Sequence, residues 1–288
     1  MIFNQKMKTM IAKKFSLMVF TLALCLGFVS CSQDDDDNPI TANPDIQLVQ
    51  HATLGSILAD ETGLTLYFFS EDVTGESACT GGCLANWPVF YVANPSYGAG
   101  VESDRFGVIT RADGSKQTTF DGWPLYYYTP DQAQGEAKGE GAGNKWFVAK
   151  QNYTVMYGLA QLIGADGKSY KEDYTEGTAM TSYLTDAEGR TLYGFVVDTR
   201  NQNNYTDADF GNDAVWPVYI VDEVKEIPSI LSQGEFSIID VHGKKQLTYK
   251  GWPLYYYGGD AGQRGLNKGV SVPQPGVWPI LNKNSASL

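Results

Sequence analysis

Beyond residue 50 the chain alternates short apolar runs with turns that carry Gly, Asp or Asn, and the runs have the length and period of strands. Ser56-Ile57-Leu58-Ala59-Asp60, then Glu61-Thr62-Gly63, then Leu64-Thr65-Leu66-Tyr67-Phe68-Phe69 predicts a hairpin. Tyr183-Leu184-Thr185-Asp186, Ala187-Glu188-Gly189 and Arg190-Thr191-Leu192-Tyr193 repeat it. Further hairpins are predicted through Ala112-Asp113-Gly114, through His242-Gly243, and over residues 154–170 with a turn at Ala165-Asp166-Gly167. No segment sustains an apolar period of 3.6, so any helix is expected to be short.

One aromatic block organises these strands. Gly122-Trp123-Pro124-Leu125-Tyr126-Tyr127-Tyr128-Thr129-Pro130-Asp131 returns as Gly251-Trp252-Pro253-Leu254-Tyr255-Tyr256-Tyr257-Gly258-Gly259-Asp260, 129 positions later. Shorter versions occur at Tyr67, Phe69 and Asp72 and at Tyr193, Phe195 and Asp198, each after a leucine. Aligned on this block, the six tryptophans fall into three pairs: Trp87 with Trp216, Trp123 with Trp252, and Trp146 with Trp278. Each signature tyrosine is followed at a fixed distance by a tryptophan, 20 residues on in the first half and 23 in the second. The unit is thus a signature strand, a variable loop and a Trp strand, repeated four times over residues 52–150 and 181–281.

These motifs resemble the bacterial lipoproteins built from a secreted repeat of unknown function, whose hallmark is Tyr-x-aromatic-x-x-Asp. The resemblance covers both halves, including Cys79-Thr80-Gly81-Gly82-Cys83-Leu84-Ala85-Asn86-Trp87-Pro88, although the second half has Ala208 and Asn212 where the cysteines stand. Family members with one half alone imply that a half is a domain. The expected fold is therefore all-β, with two tandem antiparallel domains of two aromatic-rich repeats each, at residues 48–150 and 151–288. One propeller-like ring of four units is the alternative. The resemblance carries no biochemical activity with it.

The N-terminus predicts an address. Lys6, Lys8, Lys13 and Lys14 precede the apolar run from Phe15 to Phe28, too short for a membrane span and suited to a secretory signal over residues 1–30. Phe28-Val29-Ser30-Cys31 resembles a bacterial lipobox, which makes Cys31 the expected site of lipidation. The acidic run Asp34-Asp35-Asp36-Asp37 resembles the surface-export signal of Bacteroidetes lipoproteins, and residues 31–47 read as a flexible acidic tether. The expected location is the outer membrane, lipid-anchored and facing outward.

Without the four lysines of the signal, 17 basic side chains face 33 acidic ones, a formal charge near −16. Such a surface repels nucleic acid and anionic headgroups, leaving the lipid as the sole membrane contact. Cys79 and Cys83 are the remaining cysteines of an exported chain; four residues apart, they suit one helical turn and a disulfide. A redox or metal pair is the alternative. His51, His242, Met156 and Met180 show no spacing that suggests a copper or haem site. Asp207, Asp209 and Asp213 lack the Gly and terminal Glu of a calcium loop. No nucleophile elbow, phosphate loop or zinc motif is present.

Strand alternation puts Tyr126 and Tyr128 on one face and Tyr127 on the other. The turn that follows, Thr129-Pro130 or Gly258-Gly259, returns Asp131 or Asp260 toward the strand end, where the carboxylate can cap backbone N–H groups or accept a tyrosine hydroxyl. The signature reads as scaffolding or, alternatively, as an exposed platform for sugar rings. The expectation is a non-enzymatic, cofactor-free binding or structural module of the envelope, with a glycan or envelope protein as ligand. An extracellular redox protein using Cys79 and Cys83 is the second reading.

Overall fold

Carboxylates and left-handed turn residues set the strand pairs. In the computed structural model, which describes residues 43–288, β1 (Ile46–His51) folds back antiparallel on β2 (Gly55–Asp60). At the end of β2, Asp60 Oδ1 accepts the backbone N–H groups of Thr62 and Leu64 and the Thr62 hydroxyl. That reverses the chain a second time and brings Ala59 opposite Thr65, as the hairpin pattern predicts. Asp186 builds the same turn in the second half by accepting the N–H groups of Glu188 and Arg190.

The next strands are β3 (Tyr67–Phe69), β4 (Phe106–Thr110), β5 (Lys116–Phe120), β6 (Trp123–Pro124) and β7 (Trp146–Val148). The second half contributes β8 (Met156–Ile163), β9 (Ser169–Tyr170), β10 (Met180–Thr185), β11 (Phe236–Val241), β12 (Lys244–Tyr249) and β13 (Trp252–Pro253). They form five small antiparallel sheets: β1-β2, β3-β7, β4-β5-β6, β10-β8-β9 and β11-β12-β13. None closes into a barrel. His242 and Gly243 join β11 to β12 with φ of 50° and 89°, the two left-handed residues that a tight hairpin requires. Among the described residues the one α-helical element is a single turn, α1 (Cys83–Asn86).

Among the described residues β1 begins at Ile46, which is fully buried, so it takes in the last two residues of the stretch 31–47 expected as tether. The expected signal sequence, Cys31 and residues 31–42 of the expected tether lie outside the described residues.

The two halves pack together within the unit formed by residues 42–288. Trp123 Nε1 donates to the Ala187 carbonyl at 2.8 Å, and the Lys150 ammonium meets Glu226 at 2.7 Å. Arg264 reaches from the second half into the first, donating to the carbonyls of Val73 at 2.9 Å and Asp121 at 2.7 Å. Its guanidinium lies over the Trp123 ring, 4.9 Å from the centroid. Gly122, at φ +74°, leaves the space for it, since a Cβ there would collide with the guanidinium. Burial pulls the Arg264 pKa down to about 10, so the side chain stays charged at neutral pH.

Removing this link leaves two carbonyls without a donor. Arg264→Ala is expected to cost about 2 kcal/mol, the scale of hydrogen bonds to a charged group. Urea denaturation of the variant measures it; an unchanged midpoint would mean that the arginine holds nothing.

Candidate functional site

The four signatures meet in pairs. Tyr67 and Tyr126 exchange backbone hydrogen bonds at 2.9 and 3.1 Å, and Tyr193 and Tyr255 do so at 2.9 Å each way. Two signature strands thus lie antiparallel at the centre of each half. A Trp strand flanks each: β7 beside Tyr67 and Val89 beside Tyr126, with Ile280 and Val218 in the corresponding places of the second half.

This pairing decides where the side chains go. Each signature tyrosine donates its hydroxyl to the aspartate of the other signature in its half. Tyr67 reaches Asp131 at 2.5 Å and Tyr126 reaches Asp72 at 2.6 Å. Tyr193 reaches Asp260 at 2.6 Å and Tyr255 reaches Asp198 at 2.8 Å. All four tyrosines are fully buried. The second carboxylate oxygen accepts a backbone N–H further along its own loop: Ala78 for Asp72, Lys138 for Asp131, Asn204 for Asp198 and Lys268 for Asp260. One carboxylate therefore ties its own loop to its partner's strand.

The third aromatic of each signature caps a stack. In the first half Phe69, Trp146, Trp87 and Tyr128 lie face to face, with centroids 4.0, 3.7 and 4.2 Å apart. Phe195, Trp278, Trp216 and Tyr257 repeat the column at 4.1, 3.8 and 4.5 Å. Gly139 and Gly269 press backbone onto the tryptophan at this point: a Cβ would stand 2.7 and 2.8 Å from the rings of Trp87 and Trp216. Their N–H groups point at the hydroxyls of Tyr67 and Tyr193, each at 3.3 Å. The tryptophans are between 2% and 7% exposed, so the columns are interior packing and present no open platform.

Tyr127 and Tyr256 lie on the opposite face, half-buried, with hydroxyls on Asp60 at 3.0 Å and Asp186 at 2.8 Å. Each lines a surface cleft in the same place in its half. The first, about 380 Å³, is walled by Tyr127, Tyr128, Pro88, Thr65, Asp60 and Asp131. The second, about 170 Å³, is walled by Tyr256, Tyr257, Pro217, Thr191, Arg190 and Asp260. These clefts are absent from the sequence reading. Motif repetition alone could have pointed to them, because the middle aromatic of the longer signature, Tyr127, returns at Tyr256.

Cys79 and Cys83 form a disulfide with Cα atoms 5.4 Å apart. The helical turn begins at Cys83, so the bridge spans the tight turn ahead of the helix and does not lie along it. Arg111 donates to the Cys79 carbonyl at 2.7 Å. In the second half Asn212, aligned with Cys83, holds its loop by bonding the Tyr205 carbonyl and the Asp207 N–H. His51 accepts the N–H groups of Thr53 and Leu54, and His242 meets the Thr206 carbonyl, so the two histidines serve separate turns. Asp209 caps Gly211 and Asp213 faces Lys244 at 3.6 Å. Among the described residues no group of three His, Cys, Asp or Glu could hold a metal ion.

Residues 49–91, 107–150 and 237–281 match the model of the family described as a secreted repeat of unknown function, the family that the aromatic motif resembles. The unit around Tyr193 lies outside the matched segments yet has the same hydrogen bonds and stack as the other three. No curated protein and no solved structure matches the chain.

Desolvation raises the carboxyl pKa of Asp72 to about 7 and that of Asp198 to about 6, and raises those of Asp131 and Asp260 as well. Between about pH 4 and 7 these groups hold protons in the folded chain that the unfolded chain has released. The unfolded state binds fewer protons there, so stability falls as pH rises through that window and is flat above it. The exposed carboxyls of Asp45, Asp113 and Asp173, held below their usual value by neighbouring hydroxyls and N–H groups, act only below about pH 4. The melting temperature is expected to be higher at pH 5 than at pH 8. A higher value at pH 8 would mean that the buried carboxylates keep ordinary acidity.

Proposed function

We propose that the chain is a lipid-anchored binding module of the cell envelope, holding its ligand in the two equivalent clefts beside Tyr127 and Tyr256. The observation that carries this reading is the recurrence of the cleft. Two halves that have exchanged a disulfide for an asparagine both keep a tyrosine-walled hollow at the same place in the fold.

The walls suit a hydroxylated ring. Half-buried tyrosine and proline surfaces offer apolar faces, and the Tyr127 and Tyr256 hydroxyls sit on the carboxylates of Asp60 and Asp186 at the cleft wall. With 33 acidic residues in the chain, an anionic ligand is disfavoured, which leaves a neutral glycan as the ligand class. Anchoring rests on the basic and apolar N-terminus that ends at Cys31, and secretion is the property that its repeat family carries by description.

Two measurements test the reading. On an array of neutral bacterial and host glycans, the exported chain is expected to bind, and Tyr127→Ala with Tyr256→Ala is expected to lower affinity at least tenfold. Each such loss corresponds to about 1.4 kcal/mol. No binding by the folded protein to any neutral glycan would discard the ligand class. For the anchor, Cys31→Ser is expected to move the protein from the membrane fraction to the soluble one; unchanged partitioning would reject lipidation at Cys31.

A further inference from the structure

Each tryptophan of the two columns has its own tyrosine, set edge-on, and each of those tyrosines has a carboxylate. Tyr67 stands 5.3 Å from Trp87 and bonds Asp131; Tyr126 stands 5.1 Å from Trp146 and bonds Asp72. Tyr193 stands 5.4 Å from Trp216 and bonds Asp260; Tyr255 stands 5.2 Å from Trp278 and bonds Asp198. The indoles are themselves in contact, 3.7 Å apart at an interplanar angle of 1° in the first half and 3.8 Å apart at 8° in the second. Packing alone does not require this chemistry. Phenylalanine would fill the tyrosine positions without burying a carboxylate beside each one, a desolvation cost that recurs four times.

We propose that the two columns are relays for oxidising equivalents, in which an electron vacancy created on a tryptophan pair passes to a carboxylate-bonded tyrosine. The oxidant is an outer-sphere one-electron oxidant, a small metal complex or a redox protein arriving from outside the chain. It takes one electron from the indole pair and is itself reduced by one electron. Stacked indoles share the resulting positive charge, which makes the pair easier to oxidise than a single ring. Where the aspartate is ionised, above the pH range in which burial keeps it protonated, the tyrosine then returns one electron to the indole while its hydroxyl proton crosses to the carboxylate. The products are a neutral tyrosyl radical and a neutral carboxylic acid.

A phenol gives up an electron readily only when its proton has somewhere to go, and the acceptor oxygen lies within hydrogen-bond reach in every copy. Burial favours the step, because it discharges a desolvated carboxylate. An external one-electron reductant, such as a thiol or quinol, restores the phenol, with the proton coming back from the carboxyl. The first column comes nearest the surface at a hollow of about 300 Å³ lined by Trp87, Trp146, Tyr128, Asn86, Gly143 and Lys145, where an outer-sphere oxidant can approach the edges of the buried indoles. This function uses the buried tyrosines and tryptophans of the signature and does not rest on the proposed ligand, although Tyr128 borders both the cleft and the hollow.

The test is one-electron oxidation of the full exported chain at pH 8, above the window in which the buried carboxyls hold protons, by photogenerated tris-bipyridyl ruthenium(III), followed by transient absorption and high-field EPR. The indole radical signal is expected to decay into a tyrosyl signal, more slowly in D2O, with the EPR signature of a hydrogen bond from a carboxylic acid. Tyr67→Phe with Tyr126→Phe removes only hydroxyls and is expected to halve the tyrosyl yield, leaving the second column. Tyr91→Phe, at an exposed tyrosine outside the columns, is expected to leave it unchanged. Asp72→Asn with Asp131→Asn is expected to slow transfer in the first column about 100-fold, the scale of a lost proton acceptor. Should these variants fail to fold, the wild-type spectrum alone decides. A radical that stays on tryptophan, or a tyrosyl radical without the carboxylic-acid hydrogen bond, overturns the proposal.

Discussion

The exchange of tyrosine hydroxyls between paired signatures is the constraint on which the rest depends. A single repeat cannot satisfy its own motif, because the hydroxyl of Tyr67 needs Asp131 and the carboxylate of Asp72 needs Tyr126. Left alone, each unit would hold a buried phenol and a buried carboxylate without partners, costing about 1–3 kcal/mol per group. Two units cancel both costs at once. The repeat therefore occurs in pairs for an energetic reason, and the half is the smallest set of residues in which every signature group is satisfied.

The same exchange places the tryptophans. Because the two signature strands run antiparallel and meet at their tyrosines, the third aromatic of each points outward along opposite ends of the pair. There Phe69 covers Trp146 of the second unit and Tyr128 covers Trp87 of the first. A Trp strand must add on the outer edge of each signature strand, so the two indoles arrive on the same side and meet face to face. Gly139 and Gly269 follow from that geometry: backbone has to pass within contact of the ring that the stack has fixed. The invariant spacing within each half, 20 residues in the first and 23 in the second, reflects a loop length that can vary between halves. Within a half, both loops span the same pair.

Much of this was legible in the residues. Strand alternation separated Tyr126 and Tyr128 from Tyr127, the Asp and Gly turns located the hairpins, and the spacing paired the tryptophans. What periodicity does not carry is the partner. It states which face a side chain takes and is silent on which neighbour fills that face, so the swap between signatures and the four-ring columns were out of reach. Local exceptions have local causes. Gly194 stands where Phe68 carries a ring in the first half, because Trp252 closes to within 2.8 Å of where its Cβ would be. The Cys79–Cys83 spacing fits a helical turn as well as a tight turn, and Gly81, at φ +55°, selects the latter.

The differences between the halves show what the fold leaves free. Arg111 and the disulfide secure the loop after Asp72, whereas the second half uses Asn212 for the loop after Asp198. Near the end of the first column Glu71 and Lys145 form an ion pair at 2.6 Å; the positions that align with Glu71 and Asn86 in the second half are the exposed valines Val197 and Val215. None of these changes disturbs a tyrosine, an aspartate or a tryptophan of the signature. Loop fastenings and rims have been exchanged around tyrosines, aspartates and tryptophans that have not, so the chemistry of those groups is a property of the repeat and the rims are properties of each half. A ligand or redox partner that distinguishes the two halves must therefore do so at the rims, while anything common to both depends on the four tyrosine–aspartate pairs.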